Sequence, residues 1–353
     1  MAPLATLINA RVKVAESFKL IIILAYMHTG STYIGNLLSQ HPGTFYQYEA
    51  LRNLQMATMA AGRVRYLNGT VVWLKQCEHI DYQLAAEALG HMTSCRHERL
   101  DVLTLAANLQ PLRKIFNKDV EAYFRCVDPI QRMGRRAQAL FKRRKSPIEF
   151  IRTERIERCI PLLTNKCKQA KFRIWKFIRL TMNSAELFLK DYDDTSNVRI
   201  VHLVRDPRAM MDSQLRKNDL NVTVLSVFVS RTRYMCWRMM RDLKLLEDLK
   251  KRYPNVFYSL RYEDLVADPL KISRDLFRFI GMEFGNTDER YVRETSIDHR
   301  YNSTDRAVVW RRHIRQTHLD AVNDLCHEVY NNLGYVRLDD IDDVRDLNVK
   351  VHS

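Results

Sequence analysis

The sequence lacks any hydrophobic run long enough to cross a lipid bilayer. A membrane-spanning helix needs about 20 mostly apolar residues, whereas the longest apolar runs, Leu20 to Met27 and Val222 to Val229, have the length of β-strands. Residues 1–19 also lack the apolar segment of a secretory signal peptide. These absences by themselves predict a soluble chain without an export signal. N-glycosylation sequons, which also arise by chance, suggest the secretory pathway instead; they begin at Asn68, Asn221 and Asn302.

Motifs of several common functional classes are absent as well. No Gly-Lys-Ser or Gly-Lys-Thr stands at Walker A spacing, which argues against magnesium-dependent nucleotide hydrolysis and against a P-loop kinase. No zinc-ligand spacing, RNP-type aromatic motif or helix-turn-helix signature is found, which argues against a dedicated nucleic-acid-binding protein. The sequence also contains no cluster of metal-ligating residues, no internal repeat and no low-complexity segment.

Cysteine is sparse, yet seven cysteines are enough for structural disulfides. The odd number leaves at least one thiol over. Cys159 and Cys167 could close a short loop, and Cys95 and Cys126 a longer one. Buried free thiols are the alternative interpretation.

Positive charge is abundant. The 353 residues contain 57 Lys and Arg against 41 Asp and Glu, a net charge of +16, which predicts a surface that meets a polyanion, an anionic membrane or a nucleotide. Residues 131–179 hold sixteen Lys or Arg against three acidic residues. Such a run is either a polyanion-binding surface or a solvated helix face or loop.

Strand and helix signals alternate along the chain. Continuous apolar runs and regular alternation predict strands, and helical spacing of apolar residues predicts helices. The predicted strands are Leu20–Leu24, Phe45–Tyr48, Phe172–Ile178, Val198–Val204 and Val256–Leu260. The predicted helices are Tyr33–Leu38, one that opens at Asp206-Pro207, Leu243–Arg252, one from Asp268-Pro269 to Ile280, and Leu319–Leu333, which ends on Gly334.

This order predicts an α/β fold with a central parallel sheet flanked by helices and with ligands at the carboxyl ends of the strands. Residues 51–150 are mostly helical in composition and predict an excursion of helices laid over the sheet. We expect an N-terminal segment over 1–19, one domain over 20–340 and a C-terminal tail over 341–353.

Two features predict phosphate sites. A turn of small residues, Thr29-Gly30-Ser31-Thr32, lies between the first strand and a helix, where backbone N–H groups and the helix dipole would face an anion. A merely structural turn is the alternative. Arg205 ends a strand and Ser213 lies two helical turns further on, so that a guanidinium and a hydroxyl can meet around a second phosphate.

Three stretches resemble the Golgi carbohydrate 6-O-sulfotransferases, which sulfate galactose, N-acetylglucosamine or N-acetylgalactosamine in keratan- and chondroitin-type glycans. They read YMHTGSTYIGNLLSQHPGTFYQYE over Tyr26–Glu49, VHLVRDPRAMMDS over Val201–Ser213 and LRYEDLVADP over Leu260–Pro269. A weaker likeness covers Trp310 to Tyr335, and residues 51–170 match only loosely.

The resemblance implies a P-loop-like sulfotransferase fold and 3′-phosphoadenosine-5′-phosphosulfate as the sulfuryl donor, used without a metal. Basic side chains and backbone dipoles then offset the charge of the leaving bisphosphate. Arg205 and Ser213 are implied to bind the 3′-phosphate, and Tyr262 either contacts the adenine or is an ordinary packed tyrosine. The implied 5′-phosphosulfate loop consists of His28, Thr29, Gly30, Ser31, Thr32 and Tyr33.

The reaction needs a base near the acceptor hydroxyl, and Glu49 at the end of the second strand is well placed to supply it. A capping or salt-bridging glutamate is the alternative. Glu263 and Asp264 are expected to be structural. Lys176 and Arg179, in a segment that also resembles the family, either line the cleft or belong to the basic surface.

His28 departs from the family, which places an arginine here to stabilise the departing phosphate. A histidine can do this only while protonated, and adjacent phosphates should raise its pKa above the ordinary value of about 6.5. We therefore expect an active enzyme whose rate falls as pH rises through neutrality. A degenerate, inactive relative is the alternative.

The predicted function is transfer of a sulfuryl group to a sugar hydroxyl, specifically the 6-hydroxyl of one of these three sugars. The expected partner is a neutral or anionic glycan and not a nucleic acid. The expected location is the Golgi lumen or membrane, with membrane contact only through an N-terminal anchor that this sequence does not contain. An inactive glycan-binding relative and a basic nucleic-acid-binding protein are the alternatives.

Overall fold

A computed structural model describes residues 18–55, 62–73, 81–106, 119–127, 153–217, 223–297 and 303–353. Its centre is a five-stranded parallel sheet in the order β2-β5-β1-β6-β7. The strands are β1 (Lys19–Ala25), β2 (Thr44–Tyr48), β3 (Arg63–Arg65), β4 (Val71–Trp73), β5 (Phe172–Phe177), β6 (Val198–Val204) and β7 (Phe257–Arg261). All five predicted strands are confirmed to within a residue at each end, and so is the parallel sheet.

Helices follow the strands and cover both faces of the sheet. They are α1 (Ser31–Leu38), α2 (Tyr82–Thr93), α3 (Val102–Leu105), α4 (Glu121–Val127), α5 (Thr153–Gln169), α6 (Met182–Lys190), α7 (Pro207–Arg216), α8 (Leu225–Arg252), α9 (Tyr262–Ala267), α10 (Pro269–Ile280), α11 (Asn286–Val292), α12 (Ser303–Val308), α13 (Trp310–His313), α14 (Gln316–Leu333) and α15 (Ile341–Arg345). Asp206 and Asp268 cap α7 and α10, and Gly334 ends α14, as predicted.

The central strand β1 is apolar on both faces because both faces are covered. Leu20, Ile22 and Leu24 point into a core formed with α2, α5, α6 and the end of α8. Ile21 and Ile23 point to the opposite side, against α1 and α10. This arrangement fixes the loop after β1 between two packed layers.

Helix α8 contains most of the apolar run Val222 to Val229, which has the length of a strand. Residue 222 lies outside the described residues, and from Leu225 the chain is helical for 28 residues, so that the predicted helix Leu243–Arg252 is only its end. Its buried side chains, among them Phe228, Thr232 and Met235, recur every three or four positions. The run alone is apolar enough for a strand. The helix is recognised only from the buried residues beyond the run, which continue at helical spacing as far as Leu249.

The excursion between β2 and β5 is not purely helical. Alongside α2, α3, α4 and α5 it contains the antiparallel pair β3–β4, which the sequence analysis missed. Each strand has only three residues, too few to show a period of two. The turn between them carries the sequon at Asn68, which is exposed. The sequons at Asn221 and Asn302 and the basic residues 131–152 lie outside the described residues.

The described residues contain three disulfides, which confirms disulfides but corrects both suggested pairings. Cys159 and Cys167 lie on the same helix, eight residues and therefore about 12 Å apart, whereas bridged Cα atoms lie within about 7 Å. The pairs are Cys95–Cys167, Cys126–Cys159 and Cys236–Cys326, with Cα separations of 5.8, 5.8 and 5.2 Å. The two disulfides within the excursion, Cys95–Cys167 and Cys126–Cys159, thus both include a cysteine of α5.

The last residues of the chain pack onto the domain. Val344 in α15 and Val351 are buried with Trp310 and Leu319, and Tyr335 forms a β-bridge with His352. Residues 341–353, predicted as a tail, are therefore part of a hydrophobic cluster. Within the described residues, no helix is both long enough and apolar enough to cross a membrane.

Candidate active site

The predicted site residues lie at one edge of the sheet. In a parallel sheet the carboxyl ends of neighbouring strands meet on the same side. The loop from His28 follows β1, Glu49 follows β2, and Arg205 follows β6. The turn that carries Arg179 follows β5. His28 and Arg205, which are 177 positions apart in the chain, are thereby brought together.

The loop after β1 is built to present backbone groups. Thr29 is fully buried and its hydroxyl donates to the carbonyl of Tyr26 at 2.9 Å. His28 and Gly30 both have left-handed backbone conformations, with φ of 66° and 83°. Gly30 is the N-cap of α1 and contributes no side-chain cap. No capping side chain and no acidic side chain of the first turn therefore occupies the N-terminus of α1, where a ligand phosphate would bind.

Tyr262 packs directly against this loop. A Cβ atom on Gly30 would lie 2.6 Å from two ring carbons of Tyr262, so only glycine fits. The guanidinium carbon of Arg205 lies 4.4 Å from the centre of the same ring. Burial raises the pKa of the Tyr262 hydroxyl. The packed role weighed for Tyr262 is thus observed, while adenine contact stays a prediction.

His28 joins the two predicted phosphate elements. Arg205 Nη1 donates to the His28 carbonyl at 2.8 Å, and His28 Nδ1 shares a hydrogen bond of 3.0 Å with Ser213 Oγ. Arg205 Nη2 donates to the carbonyl of Arg306 at 2.6 Å, which brings α12 to the site. The buried Nε of Arg205 has no hydrogen-bond partner among the described residues. The sequence gave no signal for Arg306.

The Glu49 carboxylate is paired with two cations, Lys176 and Arg179. Its Oε1 accepts from Lys176 Nζ at 2.6 Å and its Oε2 from Arg179 Nη1 at 2.8 Å. Glu49 and Lys176 are 3% and 2% exposed, whereas the Arg179 side chain is 18% exposed. Glu49 has φ of 51°, and its N–H donates to the Lys176 carbonyl. Lys176 and Arg179 therefore line the site, and Glu49 is salt-bridged as its structural alternative expected.

The carboxylates after β7 support the site from outside. Glu263 accepts from the N–H of Asp206 at 3.1 Å and from the hydroxyl of Tyr335 at 2.9 Å. Burial raises the pKa of Glu263. Asp264 pairs with Arg261 at 2.7 Å. Both contacts agree with the structural roles expected for these two acids.

A buried polar network beneath the loop was not foreseen. The Tyr26 hydroxyl donates to Asp242 Oδ2 at 3.0 Å and lies 3.0 Å from His202 Nε2, across 216 and 176 residues. Asp242 Oδ1 accepts from the N–H of Met182 at 2.8 Å. Burial, followed by the charge of Arg238, lowers the pKa of His202 to about 3. The network ties β1, β6 and α8 together under the loop that follows β1.

Acidification is expected to weaken the fold through His202. Its folded-state pKa, about 3, lies below the unfolded value of about 6.5, so the unfolded chain binds the extra proton. Stability from this group is present above pH 6.5 and is lost towards pH 3, at up to about 1.4 kcal/mol per pH unit. Chemical denaturation between pH 7 and 4 should show a shallower pH dependence for His202→Gln than for the unmodified chain.

The slopes of the unfolding free energy against pH must be compared between variants, because Asp242 also contributes to the slope. Burial raises the pKa of Asp242, so this group stabilises the fold as pH falls, opposite to the effect of His202. The exposed His327 provides the control: His327→Gln should keep the slope of the unmodified chain. Equal slopes for His202→Gln and the unmodified chain would show that His202 does not resist protonation.

Known proteins are similar to this chain in sequence. The model of the sulfotransferase family matches residues 116–286, which include β5, β6, β7 and the residues Arg205, Ser213 and Tyr262. Residues 116–286 of the chain thus contain a sulfotransferase family domain. The loop from His28 and Glu49 precede the matched stretch, but longer alignments with individual relatives include them.

Two relatives show the extent of the similarity. Carbohydrate sulfotransferase 1 of Danio rerio is 20% identical over 385 residues, which cover 94% of this chain and 81% of the relative. Carbohydrate sulfotransferase 5 of Mus musculus is 24% identical over 358 residues, covering 93% and 84%. Among solved structures, the sulfotransferase domain of the Synechococcus PCC 7002 olefin synthase superposes with a TM-score of 0.43 and 16% identity, over 87% of this chain and 94% of that one.

The candidate site thus combines predicted and unpredicted residues. Within the described ranges, no group of three or more His, Cys, Asp or Glu side chains is placed to hold a metal ion. The loop, Arg205, Ser213 and Tyr262 form one contiguous cluster with Arg306. Glu49 lies at the end of β2, two strands away from β1 in the order of the sheet.

Proposed function

We propose that this sulfotransferase moves a sulfuryl group from 3′-phosphoadenosine-5′-phosphosulfate to a sugar hydroxyl, the 6-hydroxyl of galactose, N-acetylglucosamine or N-acetylgalactosamine in a glycan. The observation that carries the proposal is the contact of His28 with both Arg205 and Ser213. It supports one continuous binding surface for the two phosphate groups of a single donor. The relatives named as carbohydrate sulfotransferases support a sugar acceptor.

The residues present fit this donor. The N-terminus of α1 and its glycine cap suit the 5′-phosphosulfate, which residues 28–33 would hold. Arg205 and Ser213 would hold the 3′-phosphate, and the partnerless Nε of Arg205 is a buried donor in need of an acceptor. Tyr262, at the floor of both elements, would lie against the adenine.

In the proposed reaction Glu49 accepts the proton of the acceptor hydroxyl. The hydroxyl oxygen forms a bond to sulfur, and the bond from sulfur to the bridging phosphate oxygen breaks, which leaves 3′-phosphoadenosine-5′-phosphate. Protonated His28 would stabilise the negative charge that develops on the leaving phosphate. Lys176 and Arg179 hold the Glu49 carboxylate in place. Because Arg179 is the more exposed of the two cations, we expect the acceptor to approach from its side.

Donor binding and transfer are tested separately. The bisphosphate product at 100 times its Kd should stabilise the chain by about 2.7 kcal/mol, measured as a rise in Tm. Incubation with labelled donor and a panel of desulfated glycans, followed by disaccharide analysis, identifies the sugar and position. No Tm rise far above micromolar concentration contradicts the donor assignment. A Tm rise without transfer to any glycan contradicts the sugar acceptor and leaves the donor assignment standing.

The rate is expected to fall as pH rises through neutrality, because the proposed role of His28 requires a protonated ring. His28→Arg, which keeps its charge, should flatten the profile and raise the rate at alkaline pH. The measurement is kcat for transfer from pH 5.5 to 8.5 with saturating donor. A flat profile for the unmodified chain, or an unchanged rate in His28→Arg, would show that His28 has no such role.

We further propose that the protein acts in the Golgi lumen on a glycan rather than on nucleic acid. Disulfides persist in oxidising compartments, and three are present in the described residues. The exposed sequon at Asn68 agrees with passage through the secretory pathway.

A further inference from the structure

A small cleft lies where α2, α8 and the turn after β5 meet. Its walls include Tyr82 from α2, Thr181 and Asn183 from the turn and the start of α6, and Tyr234, Trp237 and Arg241 from α8. The three residues from α8 are spaced by three and four positions, so they share one face of the helix. This face points away from the core that buries Met235 and Met239.

The cleft presents aromatic rings to solvent. Trp237 is 43% exposed, and its ring centre lies 6.1 Å from that of Tyr234 with 33° between the planes. Exposed groups of large aromatic side chains mark binding sites, because water solvates their faces poorly. The apolar C–H face of a pyranose ring can pack flat on such a surface while its hydroxyls stay hydrated at the rim.

The same cleft carries more positive than negative charge, because Arg238 and Arg241 line it together with a single carboxylate among the described residues, the buried Asp242, which pairs with Arg238 at 3.5 Å. The guanidinium carbon of Arg241 lies 4.8 Å from the ring centre of Trp237 and 5.9 Å from that of Tyr82. Arg241 Nη1 is also 3.4 Å from the Tyr82 hydroxyl. These partners orient the exposed guanidinium without neutralising it, so it can still attract a carboxylate or sulfate.

Hydrogen bonds and an ion pair connect the cleft to Glu49, the proposed catalytic carboxylate. Arg238, next to Trp237, donates to the carbonyls of Ile178 and Leu180 at 2.8 and 2.7 Å. These carbonyls flank Arg179, which pairs with Glu49 at 2.8 Å. Thr181 in the cleft wall is two residues from Arg179, and therefore within about 7.6 Å of it between Cα atoms.

We propose that Tyr82, Tyr234, Trp237 and Arg241 form an acceptor subsite for an anionic oligosaccharide. A sugar ring stacks on Trp237, and a uronate or sulfate on the neighbouring residue pairs with Arg241. The subsite rests on the proposed function, since it holds the oligosaccharide whose next sugar, the acceptor, faces Glu49. It selects acidic glycans over neutral ones by charge, in a protein with a net charge of +16.

Tryptophan fluorescence tests the subsite without catalysis. The chain has four tryptophans, of which Trp175 and Trp310 are buried and Trp73 and Trp237 are exposed. The full chain is titrated with tetrasaccharides from chondroitin, heparosan and keratan sulfate and with a neutral lactosamine tetrasaccharide. We expect an acidic tetrasaccharide to shift the emission, Trp237→Phe to abolish that shift, and Trp73→Phe to keep it.

Trp73 is a matched control because it too is exposed and carries a guanidinium, that of Arg63, 5.5 Å from its ring centre. Arg241→Gln should weaken binding of the acidic tetrasaccharide about tenfold and leave the neutral one within twofold. In transfer assays Trp237→Ala and Arg241→Gln should raise the acceptor KM about tenfold at unchanged donor KM, whereas Trp73→Ala should change neither.

The outcomes separate the subsite from the function on which it rests. An unchanged emission shift in Trp237→Phe, equal losses for acidic and neutral sugars in Arg241→Gln, or no emission shift with any acidic tetrasaccharide would overturn the subsite. If the bisphosphate product still raises Tm in that case, donor binding stands. If it does not, the proposed function fails independently of the cleft.

Discussion

Glu49→Gln is expected to lower kcat for sulfuryl transfer by about 10²- to 10⁴-fold, the usual contribution of a general base. Glutamine has nearly the shape of glutamate, and its carbonyl oxygen can still accept from Lys176 or Arg179. It cannot take up the proton of the acceptor hydroxyl. The measurement is kcat with saturating donor and acceptor, together with the Tm rise produced by the bisphosphate product, which should persist.

Glu186 provides a matched control for this substitution. It also pairs with one lysine and one arginine, Lys190 at 3.5 Å and Arg252 at 2.6 Å, but on the surface between α6 and the end of α8. Glu186→Gln should leave kcat within twofold. A Glu49→Gln chain that folds and retains more than a tenth of the original kcat would show that Glu49 only organises the site, the alternative that its ion pairs allow.

Gly30→Ala is expected to reduce donor affinity by about 5- to 30-fold. Its φ of 83° is left-handed, which costs a residue with a Cβ about 1–2 kcal/mol. The added Cβ would also lie 2.6 Å from the Tyr262 ring, so the loop or the tyrosine must move. The measurement is the Kd of the bisphosphate product by calorimetry.

Gly69 separates backbone strain from the overlap with Tyr262. It has the same φ of 83°, but a Cβ there would have no neighbour within 4 Å. Gly69→Ala should therefore cost similar strain in the β3–β4 turn and leave the Kd unchanged. Unaltered donor affinity in Gly30→Ala would mean that the loop after β1 does not hold the donor.

The local signals in the sequence were sufficient for much of the fold. From Leu20 onward β1 is a continuous apolar run because it is buried on both faces, and this is visible in any short window. Asp206 marks the start of α7 because its side chain caps the helix, and Gly334 marks the end of α14 because glycine adopts the left-handed conformation there. The small-residue loop and Arg205 could be found because each motif is a contiguous segment.

Pairings across the chain could not be found in this way. Cys95 bridges Cys167 rather than Cys126 because the packing of α5 decides which thiols meet. The apolar run that begins α8 became a helix because its burial continues at helical spacing beyond the run. The strands β3 and β4 were too short to carry a pattern.

The sequence by itself therefore determined the order along the chain of the strands in the main sheet and the position of the small-residue loop after β1, since both depend on residues that are neighbours in the chain. Only the tertiary structure decided that His28 contacts Arg205 and Ser213 and that Glu49 is held by Lys176 and Arg179. The physical reason is the parallel sheet, which brings together at one edge the ends of strands that are far apart in sequence.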